Sequence, residues 1–236
     1  MTLKKLLGLA LLLPAASSFA ADDTEMWAKI QYAYTLIGEA NINIQKLFDE
    51  IGHLKANQNL HQLGEAYHGG IIFWVDESKQ HGLIASKIDV TEEGIQWRNG
   101  ASGNKITNAR GDGIGSGETN TRLIIASQTI DNQKGRFAAL LASQFQVQAD
   151  GITPCKTPIV NQGVCYGGWY LPSAFELQLM HTNLRAGNRA SFAPDFYWTS
   201  TEASASNAWL INFSSGELVA SDKANTMGRV RAISRF

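Results

Sequence analysis

The chain has 236 residues, with 20 basic and 21 acidic side chains and a formal net charge of −1. That balance argues against nucleic acid as the main partner and against a strongly basic, heparin-like surface. Its composition is otherwise that of an ordinary globular protein, rich in Gly and poor in Pro.

Residues 1–20 read as a cleavable secretory signal peptide. Lys4 and Lys5 form the charged start, Leu6 to Leu13 the apolar run, and Ser18-Phe19-Ala20 a small-x-small cleavage site. The run is shorter than the roughly 20 apolar residues that a bilayer crossing needs. No later segment reads as a membrane span, so the expected product is exported: secreted, cell-surface or periplasmic. Removing Lys4 and Lys5 from the 20 basic residues leaves 18 against 21 acidic ones, a formal net charge of −3.

Residues 22–64 hold no proline and read as one long helical coiled-coil segment for oligomerisation. Ile30, Ile37, Ile44 and Ile51 occupy heptad position a; Met26, Ala33, Ala40, Leu47 and Leu54 occupy position d. An unbroken seven-residue repeat keeps its seam on one face only if helices supercoil. Trp27, Tyr34 and Phe48 fall at position e and widen the stripe. Ile at a with Leu at d favours dimers, whereas the wide stripe suits three helices, and the heptads leave the number open. The alternative is an amphipathic helix packed on its own domain. At 1.5 Å per residue the helix spans roughly 60 Å, too long for burial on one small domain.

From about Tyr67 the pattern changes. Ile71-Ile72-Phe73-Trp74-Val75, the polar turn Asp76 to Gln80 and Gly82-Leu83-Ile84-Ala85 predict a hairpin with a buried strand. The loop Gly111 to Gly117 is glycine-rich, and a helix is expected from about Thr119, carrying Leu123, Ile124 and Ile125. A second helix is expected over 135–145. Ser173 with Glu176 matches a capping box, so a third starts there. Strands are expected over 197–200, 208–213, 218–221 and 229–236. Strands at both ends with helices between imply an α+β domain over residues 65–236.

Cys155 and Cys165 are the only cysteines. In an exported chain they are expected to pair, closing a short loop that stabilises by roughly 2–3 kcal/mol on the chain-entropy account. A redox or nucleophilic thiol is the alternative.

Four ordered motifs carry a family resemblance. They are Gly69-Gly70-Ile71-Ile72-Phe73-Trp74-Val75-Asp76 with Gln80-His81-Gly82-Leu83-Ile84-Ala85; Gly168-Trp169-Tyr170-Leu171-Pro172-Ser173 with Glu176-Leu177; Tyr197-Trp198-Thr199-Ser200-Thr201-Glu202 with Ala208-Trp209 and Phe213; and Val230-Arg231-Ala232-Ile233-Ser234-Arg235-Phe236. Together they resemble the Lcl C-terminal domain family, named for the Legionella collagen-like adhesin. The resemblance implies a C-type-lectin-like fold preceded by the N-terminal coiled coil. It also implies a homotrimer and a cell-surface role in adhesion through sulfated glycosaminoglycans. No Gly-X-Y collagen repeat is present, and neither Glu-Pro-Asn nor Gln-Pro-Asp, the calcium-lectin sugar motifs, occurs.

The basic residues placed to meet a polyanion are Lys105, Arg110, Arg122, Lys134, Arg136, Arg185, Arg189, Arg229, Arg231 and Arg235. Scattered solvated charge is the competing reading. The Gly111–Gly117 loop before a helix start presents free N–H groups to an anion, or is a plain surface loop. Asp112 alone falls short of a calcium site. Trp169-Tyr170 and Tyr197-Trp198 read as core, with an aromatic sugar platform as the alternative. No catalytic motif, metal set or cofactor signature is recognised, so no catalytic residue, metal or cofactor is expected. The function expected is a binding module or adhesin for extracellular glycans or other polyanions. The alternatives are an envelope protein whose head binds another protein and, more remotely, an enzyme related to the formylglycine-generating folds.

Overall fold

The computed structural model describes residues 23–56, 60–157 and 163–236. The signal-peptide reading of residues 1–20 lies outside the described residues. The chain is α+β and divides into two compact units between Gln58 and Asn59. The first unit is a single helix, α1 (Asp23–Ala56). It stops short of the expected end: Leu60 to Gly64 belong to the second unit and are not helical. There His61 donates its backbone N–H to Lys79 O at 2.9 Å, and its ring packs 4.3 Å from Tyr67. Burying His61 on that neighbour overrides the helical pattern.

The second unit opens with β1 (Ala66–Tyr67), β2 (Gly70–Val75) and β3 (Gly82–Ser86). Then follow α2 (Ser116–Thr129), α3 (Ala138–Gln144), β4 (Val147–Gln148), β5 (Cys165–Tyr166) and α4 (Ala174–Met180). After α4 a π-helical turn spans His181–Ala186. The remaining strands are β6 (Phe196–Glu202), β7 (Asn207–Asn212), β8 (Leu218–Asp222), β9 (Gly228–Arg229) and β10 (Ile233–Arg235). One sheet has the order β1-β2-β3-β10 and is antiparallel throughout. The other has the order β8-β7-β6-β9, with β9 parallel to β6. The pair β4–β5 stands apart and is tied by the Cys155–Cys165 disulfide, with Cα atoms 6.1 Å apart.

The expected strand over 229–236 divides between the two sheets. Val230 and Ala232 are fully buried, and Arg231 between them is fixed by hydrogen bonds to the carbonyls of Ser86 and Ser191. The expected helix over 135–145 is shorter, because Phe137 is its extended, fully buried N-cap.

Neighbouring residues serve opposite sides of the core. Ile72, Ile84, Trp198 and Leu210 join Trp97, Ile124, Phe137 and Trp169 in one cluster. Phe73, Leu83, Tyr197 and Ile211 join Tyr170, Leu177, Met180 and Phe213 in another. Because strand side chains alternate between faces, β2, β3 and β6 are buried on both sides. This explains why β2 and the Leu83-Ile84-Ala85 stretch of β3 read as unbroken apolar runs rather than alternating ones. α4 packs on β2, β6 and β7 and so touches both sheets.

Candidate functional site

The glycine-rich loop is built around a carboxylate of the chain's own. Ser173 caps α4 by accepting the Glu176 N–H at 3.2 Å, and the Glu176 side chain accepts the Ser173 N–H at 2.8 Å. That completes the expected capping box. The same carboxylate accepts the N–H groups of Gly115 at 2.7 Å and Gly117 at 3.1 Å. The Gly115 and Gly117 N–H groups, which the anion reading of this loop left free, are therefore taken by Glu176. A Cβ at Gly117 would meet Glu176 Oε2, the Leu171 carbonyl and the Ser173 nitrogen, so glycine is required for the close approach. Glu176 is fully buried, and its desolvation raises the carboxyl above its ordinary range against the pull of these N–H donors.

Other groups fix the rest of the loop. Asp112 accepts the Phe175 N–H at 2.7 Å and so caps α4. The Asn120 amide bridges the Gly111 N–H, at 3.0 Å, and the Gly111 carbonyl, at 2.7 Å. Next to it, Glu202 accepts from Thr107 N–H at 2.8 Å and Asn108 N–H at 3.1 Å. Asn108 is exposed and held in the left-handed region, φ 59°.

Two surface grooves flank this loop. One, of about 220 Å3, is lined by Trp74, Asp76, His81, Ile114, Arg235 and Phe236, among others. The second, of about 480 Å3, is lined by Asn108, Ile114, Ser116, Thr119, Leu123 and Arg235, among others. They share Ile114 and Arg235, so the Arg235 side chain stands on the common rim. Its side chain is 53% exposed, and its Nε lies 3.8 Å from Glu118 Oε2. Tyr170 beside it holds Arg235 above its ordinary pKa range. Trp74 reaches this groove through a register shift in β2 between Ile72 and Trp74, the kind of irregularity that re-aims a side chain.

The ten basic residues expected to meet a polyanion do not form one patch. Arg231 is 3% exposed; it lies 2.8 Å from Asp89 Oδ1 and stacks 4.2 Å from the Phe192 ring. It holds the interior and leaves the set of surface candidates, because a C-terminal apolar run has buried it. Arg229 is bound to Asp195 at 2.9 Å and lies 3.5 Å from Asp89. Lys105 pairs with Asp131. Arg185 is half-buried, its Nε 3.4 Å from the Phe213 carbonyl, while Arg189 donates to Asn183 O at 3.0 Å. Lys134 and Arg136 are exposed in the connection between α2 and α3. Arg110 is exposed, with Nε 3.8 Å from Glu202. Arg122 and Arg235 are brought together by Glu118, which pairs with both.

Trp169, Tyr170, Tyr197 and Trp198 are each no more than 2% exposed, so they are core residues and not a sugar platform. The residues that sequence reasoning misses are Trp74, Ile114 and Thr119. Of these, only Trp74 carried a signal, as an aromatic at the end of a buried run beside a polar turn. Among the described residues, no group of three or more His, Cys, Asp or Glu side chains converges as a metal site, and no helix is long and apolar enough to cross a membrane. No family model matches the chain, and no curated protein matches it.

Proposed function

We propose that the protein is an exported, non-enzymatic binding module, an adhesin-like protein in which α1 gathers copies and a C-type-lectin-like head contacts extracellular glycans or other polyanions. One observation carries the assembly part of the reading. The apolar seam of α1 lies open on a helix about 50 Å long at 1.5 Å per residue. Ile37, Ile44, Leu47, Ile51 and Leu54 are each at least 45% exposed, as are Met26 at position d and Tyr34 and Phe48 at position e. Ile30, the first of the a positions, is half-buried. A continuous apolar stripe of this size calls for a cover, and the heptad register suits identical helices. Self-association, as a homotrimer on the family resemblance, multiplies weak head contacts into avidity.

The disulfide supports an oxidising compartment, in keeping with export to the surface, the periplasm or the medium. The resemblance of the four motifs to the Lcl C-terminal domain family supports the lectin-like head. The test combines sedimentation of the chain from residue 21, and of residues 60–236, with a glycan array. Oligomers of the first, monomers of the second and salt-sensitive glycan binding are expected. Monomers in both overturn the assembly. A blank array beside capture of an envelope protein replaces the glycan by a protein partner.

A further inference from the structure

We infer that the open edge of β8 docks an extended segment of another protein, added as a further strand and carrying a basic residue at each end of a short β-prone stretch. β8 ends its sheet and pairs with β7 alone. The ladder fixes which of its backbone groups face outward. Asn212 donates its N–H to Glu217 O at 2.9 Å, and Lys223 donates its own to Ser206 O at 2.8 Å, in the register that sets Ser221 opposite Ala208 and Val219 opposite Leu210. Bonding alternates along an antiparallel strand, so Leu218, Ala220 and Asp222 point their backbone groups away from β7. Of these, the Asp222 carbonyl accepts the Asn225 N–H at 2.9 Å. Among the described residues, no group bonds the outward N–H and C=O of Leu218 and Ala220 or the N–H of Asp222.

The remaining edges of the two sheets offer no such template. β10 exchanges both backbone bonds with Tyr170 through Ile233, at 2.8 and 3.0 Å. Gly228 of β9 accepts the Ile95 N–H at 2.9 Å, and β1 is only two residues long. β8 runs for five residues in an unbroken register with β7 and holds no proline, lysine or bulge to blunt its edge. Leu218 is 39% exposed and Ala220 is exposed, so the middle of the edge is apolar and small. Its ends are acidic, for Glu217 and Asp222 are both exposed. A second copy pairing antiparallel about Ala220 would bring Asp222 of each copy beside Glu217 of the other, so the edge repels itself. An antiparallel segment with arginine or lysine opposite Glu217 and Asp222 instead satisfies the outward backbone groups and both charges.

The experiment titrates the chain from residue 21 into a fluorescent peptide, capped at both ends, that reads arginine-threonine-valine-threonine-valine-arginine. In the antiparallel register its arginines lie opposite Asp222 and Glu217, and its valines opposite Ala220 and Leu218. One control peptide is N-methylated at both valines, which removes the donors for the edge, and another has glutamate for both arginines. Anisotropy is expected to show binding at least tenfold tighter for the first peptide than for either control, with amide exchange slowed in residues 218–222. Ala220→Pro removes an outward donor and no bond to β7. Glu217→Gln with Asp222→Asn removes the charges and keeps an oxygen for the Ala224 N–H, which Asp222 accepts at 2.7 Å. Each variant should lose at least tenfold, and the N-methylated peptide tests the backbone pairing even where Ala220→Pro disturbs the fold. Equal binding of the N-methylated peptide, no slowing in residues 218–222, or no binding at all overturns the proposal. So does self-association of residues 60–236 that itself protects β8, which would make a second copy the occupant.

Discussion

The Lys223 ammonium lies 2.6 Å from the Glu202 carboxylate, and neither side chain is exposed to any degree. The other two ammonium donors reach the Lys105 and Ala205 carbonyls at 2.8 and 2.9 Å, and the Trp97 ring covers the charge at 4.7 Å. Every donor of the lysine is thus used. The pair ties the segment entering the glycine-rich loop to the ends of β6 and β8. Truncating one partner strands the other charge, so Lys223→Met should cost about 3–5 kcal/mol. Urea denaturation of the variant measures this, and a loss below 1 kcal/mol, the order of an exposed pair, would show the pair to be superficial.

Glu202 and Glu176 should leave opposite marks on the pH dependence of stability. Burial alone would raise Glu202, but Lys223 and the Thr107 donors override it and hold the carboxyl below its ordinary 4.5. Its contribution is therefore present above pH 4.5 and lost as pH falls through the folded value. Glu176 is raised above 4.5 by burial, so its contribution is fully present below that value and lost as pH rises through the folded one. Melting curves over this range should show the gap between parent and Glu202→Gln closing on acidification. The gap between parent and Glu176→Gln should widen. Parallel curves for both variants would contradict the assigned directions.

How far the sequence disclosed this site follows from the range of the interactions. The Ser173–Glu176 box is legible because its hydrogen bonds close within four residues. The second use of Glu176, on Gly115 and Gly117, depends on a contact between segments about 60 residues apart. No local pattern encodes it. Arg231 is misread for the same reason: its acceptors Ser86 and Ser191 lie far along the chain. The β6 and β7 strands are legible from apolar runs bounded by turns. The division of residues 229–236 between two sheets is not, since it is fixed by what β3 and β6 offer at either end. Trp74 becomes a groove residue only through the register shift in β2.

Gly117→Ala should act as a packing test of the loop. Its new Cβ would press on the buried Glu176 carboxylate and on two backbone groups that have little room to retreat. Overpacking of this kind costs about 1–3 kcal/mol. Thermal melting reads the loss, and a variant as stable as the parent would mean that the loop is not locked as described.

The disulfide should matter to the β4–β5 pair more than to the sheets. Cys165 lies in β5, whose register places it opposite Gln148 of β4, and Tyr166 opposite Val147. Replacing both cysteines by serine should lower stability by about 2–3 kcal/mol through the freed unfolded chain. Amide exchange should rise first in residues 147–157 and 163–166, with β2, β3, β6 and β7 keeping their protection. Uniform loss across all strands would mean that the bridge supports the whole head.

The open face of α1 gives the last prediction. Ile44, Leu47, Phe48 and Ile51 enclose an apolar hollow of about 250 Å3 on the helix surface. Ile44 and Ile51 sit at position a and Leu47 at d, so a neighbouring helix would seat its own knobs there. Phe48 at position e adds an aromatic flank. Aspartate at Ile44 and Leu47 together places two charges in that seam without touching the head. Sedimentation should then give monomers, while the far-ultraviolet signal of the head and its melting temperature stay as in residues 60–236 alone. An oligomer that survives both aspartates would place the contact elsewhere and would leave the seam's exposure without its proposed cover.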